Sequence, residues 1–218
     1  MSYITRDIAL SAVSRMKCFH EDVVRTYSEY GMDLLDNLGR RNIVMSQVQE
    51  TFFAQELGKT YNDVKEDGKT GQPDIIIGEI DREVECKLTS RHKTGAISFS
   101  TDHGTLAQKG ELDYLYVVCD REFKKFCVIH FEKLTVEHFR HISPGSRGKV
   151  AMKKYLTIPD AHVLVGDVAS MNQLNIQKIK KALERCSPTT KKFANLKKRL
   201  AYWEQVPEKY NITLESVG

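Results

Sequence analysis

Residues 73–88, PDIIIGEIDREVECKL, alternate apolar and polar side chains on either side of a turn. Such alternation confines the chain to a fold containing a sheet that is oily on one face. A two-residue turn at Ile80 and Asp81 sets Asp74 opposite Lys87 and Ile76 opposite Glu85. A four-residue turn keeps the same parity, whereas an odd-length turn would break it. With an even turn, Ile75, Ile77, Val84, Cys86 and Leu88 form a core face, and Asp74, Glu85 and Lys87 project together from the other.

The flanking sequence supplies elements to cover that face. Residues 7–38 carry apolar side chains three and four apart and predict a helix. A basic turn at Gly39-Arg40-Arg41 follows, and then a second helix over NIVMSQVQETFFAQEL that ends at Gly58. Beyond the hairpin, ELDYLYVVCD predicts a strongly apolar strand with KKFCVIHFEKL as its hairpin partner. SPGSRGK reads as a flexible loop, AHVLVGDV as a short strand or two, and the remainder as two basic helices separated by CSPTT. Strands with helices before and after them predict an α/β domain around one mixed sheet. The predicted divisions are an N-terminal helical cap over 1–40, a core over 41–170 and a basic helical extension over 171–218, forming one compact unit.

Composition narrows the class. No apolar run approaches membrane-spanning length, and the N-terminus lacks the apolar stretch of a secretory signal, so a cytoplasmic protein without membrane partners is expected. Five scattered cysteines, an odd number, fit reduced thiols better than a disulfide framework. Charge is uneven: Met171–Trp203 holds nine basic residues and one acid, leaving 24 basic against 28 acidic elsewhere. That segment carries the electrostatic mark of a polyanion partner.

The charged side of the hairpin suits phosphodiester cleavage. Two close carboxylates repel each other, and a divalent cation relieves the repulsion while ligating hard oxygens. A neighbouring lysine can stabilise the pentavalent transition state or help to orient and deprotonate water. Pro73-Asp74 followed by Glu85-Cys86-Lys87 resembles the PD-(D/E)XK motif of restriction-endonuclease-like nucleases, with hairpin context and an apolar middle residue. The resemblance covers the motif and its surrounding pattern, roughly residues 42–130. It implies an α/β restriction-endonuclease-like core with a central mixed sheet flanked by helices. It also implies Mg²⁺, for which Mn²⁺ can substitute, held by Asp74, Glu85 and the main-chain carbonyl of Cys86.

Members of that superfamily often draw a further acid from a preceding helix. Ile43, Gln47, Glu50, Ala54 and Leu57 form one stripe in which Gln47 and Glu50 interrupt an apolar face. Glu50 is therefore the candidate extra acid and Gln47 a water or phosphate contact; the alternative is an exposed Glu50 on a helix of different register. Arg91, His92 and Lys93 follow the motif strand and are candidate DNA contacts, with Ser98, Ser100 and Thr101 as hydrogen-bonding partners. Lys109 lies on the next predicted helix, and Arg147 and Lys149 lie in the flexible loop. Lys191, Lys192, Lys197 and Lys198 crowd the polar side of the last helix opposite Phe193, Leu196, Leu200 and Trp203. Cys127, His130, His138 and His141 have a zinc-like spacing, but the first pair sits on a predicted strand and the intervening loop is short, so they are read as core and surface residues.

The expectation is a Mg²⁺-dependent deoxyribonuclease acting on double-stranded DNA, most like a homodimeric type II restriction endonuclease. Two alternatives stay open: a phage, repair or recombination nuclease such as a junction resolvase, and a DNA-binding module that has lost catalysis.

Overall fold

The computed structural model describes residues 2–67, 69, 71–90, 97–142, 145 and 148–218. Helix α1 (Arg6–Glu29) is capped by Thr5, whose hydroxyl accepts from the Ile8 amide. It ends at Glu29, five residues before a single-turn 3₁₀ helix at Leu34–Asp36, and the chain turns between them at Gly31 with φ of 70°. Helix α2 (Leu38–Leu57) starts where Asn37 accepts from the Arg40 amide. The expected turn at Gly39-Arg40-Arg41 is thus the first turn of α2, and the break lies upstream of it. Side-chain capping at Asn37 offsets the helix-weakening effect of Gly39.

Arg41 explains why this end of α2 is fixed. Its side chain is fully buried, an unusual fate for an arginine. It donates to the carbonyls of Asp120 and Arg121, to Asn42 Oδ1, to Ser90 Oγ and to Cys119 Sγ, and its guanidinium lies 5.2 Å from the Phe123 ring centre. Every acceptor is neutral, so the charge is stabilised by dipoles from three separate segments.

Strands β1 (Val64–Glu66), β2 (Ile75–Ile77) and β3 (Arg82–Ser90) follow, then β4 (Ser100–Asp102) and helix α3 (His103–Lys109). The long strands β5 (Leu112–Cys119) and β6 (Lys125–Leu134) form the expected antiparallel hairpin. After them come β7 (Lys149–Ala151), the short helix α4 (Lys154–Thr157), β8 (His162–Val165) and β9 (Asp167–Ser170). Helices α5 (Met171–Glu184) and α6 (Lys191–Gln205) precede β10 (Tyr210–Thr213) and β11 (Glu215–Ser216). Lys149, expected in a flexible loop, instead opens β7 and pairs with Asp102.

The main sheet runs β1-β2-β3-β5-β6-β11, with β8 also paired to β6. It is mixed: β3 and β5 are parallel, joined through β4 and α3, and the other pairs are antiparallel. One face packs against α1 and α2 through a continuous core that includes Met16, Met45, Phe53, Ile75, Val84, Cys86, Leu115 and Val117. The fold is therefore α/β, with a central mixed sheet flanked by helices.

Two compact units divide the chain, one running to Asp167 and including Leu214–Gly218, the other spanning Val168–Thr213. Residues 1–40 are not a separate cap, since α1 belongs to the main core. The last residues also leave the expected extension: Glu215 pairs with Phe126, takes a hydrogen bond from Arg6 and another from the Gly166 amide. Within the second unit Asn172 donates to the carbonyls of Trp203 and Val206 and accepts from the Lys209 amide, tying α5 and α6 to the start of β10. No helix among the described residues is long and apolar enough to cross a membrane.

Candidate active site and nucleic-acid interface

The hairpin keeps the expected faces in a different register. Ile75 pairs with Val84 and Ile77 with Arg82, so the turn has four residues, Gly78–Asp81. Its geometry is set from outside: a Cβ on Gly78 would come within 2.1 Å of Asp63 Oδ2, and the Gly78 amide donates to the Asp63 carbonyl. Asp81 closes the turn in the left-handed region at φ 51°. Because the turn is even, Ile75, Ile77, Val84 and Cys86 still enter the core. The slip of two residues has a chemical consequence. One step beyond the last paired residues, Asp74 now stands opposite Glu85 in place of Lys87, so carboxylate faces carboxylate.

The charges respond accordingly. Burial, and then the charge of Glu85, push the Asp74 carboxyl up to about 6, against the pull of Lys87 and the Cys86 amide. That amide donates to Asp74 Oδ2 at 2.7 Å. Glu85 is buried; one of its oxygens pairs with the Lys87 ammonium, and the other, Oε2, has no hydrogen-bond partner among the described residues. Burial pulls the Lys87 ammonium down, but the adjoining Glu85 outweighs it and holds the ammonium more firmly protonated than usual.

Glu50 joins this group from α2. Burial and then the charge of Asp74 raise its carboxyl to about 7, with Glu66 and Glu85 adding to the rise and Lys87 opposing it. The register of α2 differs from the expected one. Arg41, Met45, Gln49, Phe53, Glu56 and Leu57 are buried, whereas Ile43 is 74% exposed and Gln47 is exposed. Glu50 lies half-buried at the margin of the buried stripe, and Gln47 faces solvent one turn earlier. Polar residues misled the pattern: Arg41 and Gln49 are buried because tertiary partners satisfy them, Gln49 Nε2 donating to the Leu115 carbonyl.

The thiol of Cys86 points into the core and burial pushes it far up, so only its main chain is available to a metal. No three described His, Cys, Asp or Glu side chains cluster tightly enough to hold an ion by themselves. Mg²⁺ does not require this, since it is commonly held by one or two carboxylates and keeps several waters. A buried carboxylate oxygen without a partner, beside a second carboxyl raised by burial and by repulsion, fits that donor set.

Beside Lys87 opens a cleft of about 230 Å³ whose walls include Ser98, Ser100, Asp102, Tyr116 and Lys149. Lys149 and the two serines thus share a cavity with the motif lysine. Thr101 also lines the cavity, but it is buried and its hydroxyl donates to Tyr114. Lys109 is engaged as well, paired with Glu83 at 2.9 Å. Arg91, His92, Lys93 and Arg147 lie outside the described residues. Asp102 was missed by sequence reasoning. Its local signal is an aspartate placed to cap a helix, and its Oδ1 accepts from the Gly104 amide at the start of α3.

In the second unit, Lys191, Lys192, Lys197 and Lys198 are exposed, as are Lys178, Lys180, Lys181, Arg185 and Arg199. None of these cations forms an ion pair among the described residues. Leu196 and Ile179 anchor the apolar faces of α6 and α5. Comparison with family models, curated proteins and solved structures gives no match to this chain.

Proposed function

We propose that this protein is a metal-dependent deoxyribonuclease with a restriction-endonuclease-like core, most like a type II restriction endonuclease that cuts double-stranded DNA. The observation that carries this reading is the buried, unpartnered Oε2 of Glu85, whose other oxygen pairs with Lys87, beside an Asp74 carboxyl raised by burial and by Glu85 and a Glu50 carboxyl raised by burial and by Asp74. A structural hairpin gains nothing from opposed carboxylates, whose repulsion costs stability.

Asp74, Glu85 and the Cys86 carbonyl would hold a Mg²⁺ or Mn²⁺ ion. When bound, the ion would supply Lewis acidity at the scissile phosphate and neutralise part of its charge. Lys87 contributes a fixed positive charge. Because Glu85 keeps it protonated, it is suited to stabilising the phosphorane oxygens and not to abstracting a proton. Glu50, raised to about 7, is half-ionised near neutrality and can accept the proton of an attacking water. Lys149 and the serines of the neighbouring cleft would bind phosphate. The unpaired cations of α5 and α6 supply further sequence-independent attraction to DNA. Cutting both strands needs two such centres, which a homodimer would provide.

The deciding experiment is incubation of plasmid and phage genomic DNA with Mg²⁺, with EDTA, and with Lys87→Ala in parallel. Discrete Mg²⁺-dependent fragments lost in the variant support the reading. Intact DNA in every lane overturns it, and a preference for branched substrates turns it toward a junction resolvase.

A further inference from the structure

A second cleft, larger than the one beside Lys87, lies away from the motif. It encloses about 850 Å³ between the start of α3, the segment 136–142 and the residues just after β7. Arg140, Lys153, His103, His138 and His141 line it, against a single acid, Glu137. Arg140 is exposed and makes no ion pair among the described residues, and Lys153 Nζ donates only to the Glu137 carbonyl. His138 is oriented: its Nδ1 accepts from the Thr135 amide at 3.0 Å, so the neutral ring carries its proton on Nε2. Crowding of positive charge is felt nearby, where burial and then Arg140 lower the Lys154 ammonium. Aliphatic side chains complete the walls, with Val136, Ile142 and Leu156 39%, 52% and 44% exposed.

A lone phosphate is best held by donors converging on one point. Here they come from three segments spread around a wide opening, and apolar surface lies between them. That arrangement matches a chain of phosphates separated by deoxyribose faces. The cleft also adjoins the candidate active site: Asp102 lines the cavity beside Lys87, and the next residue, His103, lines this one. The His103 amide donates to the Gly148 carbonyl, next to the β4–β7 ribbon that supplies Ser100, Asp102 and Lys149 to the first cavity.

We propose that this cleft binds the phosphate backbone of a DNA duplex, with Arg140 and Lys153 as its principal contacts. The proposal rests on the nuclease reading only in taking DNA as the polyanion.

The test is fluorescence anisotropy of a labelled DNA duplex, in EDTA and over a range of salt, with the full-length protein. Arg140→Glu and Lys153→Glu should each weaken binding about tenfold and reduce the slope of log affinity against log salt by about one. Arg25→Glu, on the surface of α1, changes net charge equally and serves as the control; it should have a several-fold smaller effect. Arg140 is exposed, so circular dichroism and thermal midpoints of its variants should match the wild type; Lys153 is partly buried and bonded to the Glu137 carbonyl, so its variant is scored only if its thermal midpoint is unchanged, and Arg140→Ala gives a milder version of the same loss. Unchanged binding in Arg140→Glu, or an equal loss in Arg25→Glu, overturns the proposal. Cleavage is scored separately. Arg140-dependent binding without any cleavage sustains the cleft and sinks the nuclease reading, whereas cleavage without Arg140 dependence does the reverse.

Discussion

Replacing Glu50 by Gln should make the metal-free protein more stable, and only at neutral and alkaline pH. A carboxyl raised from 4.5 to about 7 favours the protonated fold. Its contribution to stability is fully present below 4.5 and is lost as pH rises through about 7. Complete ionisation at this site would cost the fold about 3 kcal/mol at most. Glu50 is only half-buried, and water and Lys87 screen it, so a penalty of about 1–2 kcal/mol is expected above pH ~8. Glutamine keeps the shape and removes the charge. Urea denaturation in EDTA should therefore give a higher midpoint for Glu50→Gln near pH 8, equivalent to about 2–8 °C in Tm for a chain of this size. The advantage should shrink to nothing by about pH 4.5, where both forms are neutral. The same variant should lose DNA cleavage, since the charge that destabilises the fold is the one the chemistry needs. A variant less stable than wild type near pH 8, or one whose advantage is the same at both pH values, would show that Glu50 does not share a repulsive site with Asp74 and Glu85.

Divalent cation should reverse that balance: millimolar Mg²⁺ or Ca²⁺ should raise the wild-type Tm by several degrees and shift Asp74→Asn much less, read by differential scanning fluorimetry; equal shifts would place cation binding elsewhere. Arg41→Met should cost about 3 kcal/mol or more in urea denaturation, because five neutral acceptors lose their donor, and Arg41→Lys should recover little since one ammonium cannot reach them all. Gly78→Ala should destabilise by about 1–3 kcal/mol through collision with the Asp63 carboxylate, and most of that loss should disappear when Asp63 is also replaced by Gly. Additive costs in that double variant would refute the contact as the cause.

Alternation in residues 73–88 was sufficient to sort the hairpin into a core face and a charged face, because side-chain period on a strand is a local property that any even turn preserves. The β5–β6 hairpin was legible for a related reason: long apolar, β-branched runs have few places to go outside a sheet. Boundaries and registers were less legible. Local sequence points to a break between α1 and α2 at Gly39-Arg40-Arg41, but Asn37 caps the helix there and Arg41 is fully buried in the core. The α2 stripe was drawn through Ile43, which is 74% exposed, because burial of Arg41 and Gln49 depends on acceptors dozens of residues away.

The sequence by itself determined which residue types would face together: Asp74, Glu85 and Lys87 on one side, and their aliphatic neighbours on the other. Only the tertiary structure decided who stands opposite whom. Asp63, approaching Gly78 from outside the hairpin, packs against the four-residue turn that sets Asp74 against Glu85. The packing of α2 brings Glu50 within reach of both, and β7 carries Lys149 to the cleft of Lys87. Proximity of this kind depends on where separate segments of the chain meet, and their meeting is set by the packing of the whole core and not by any local spacing.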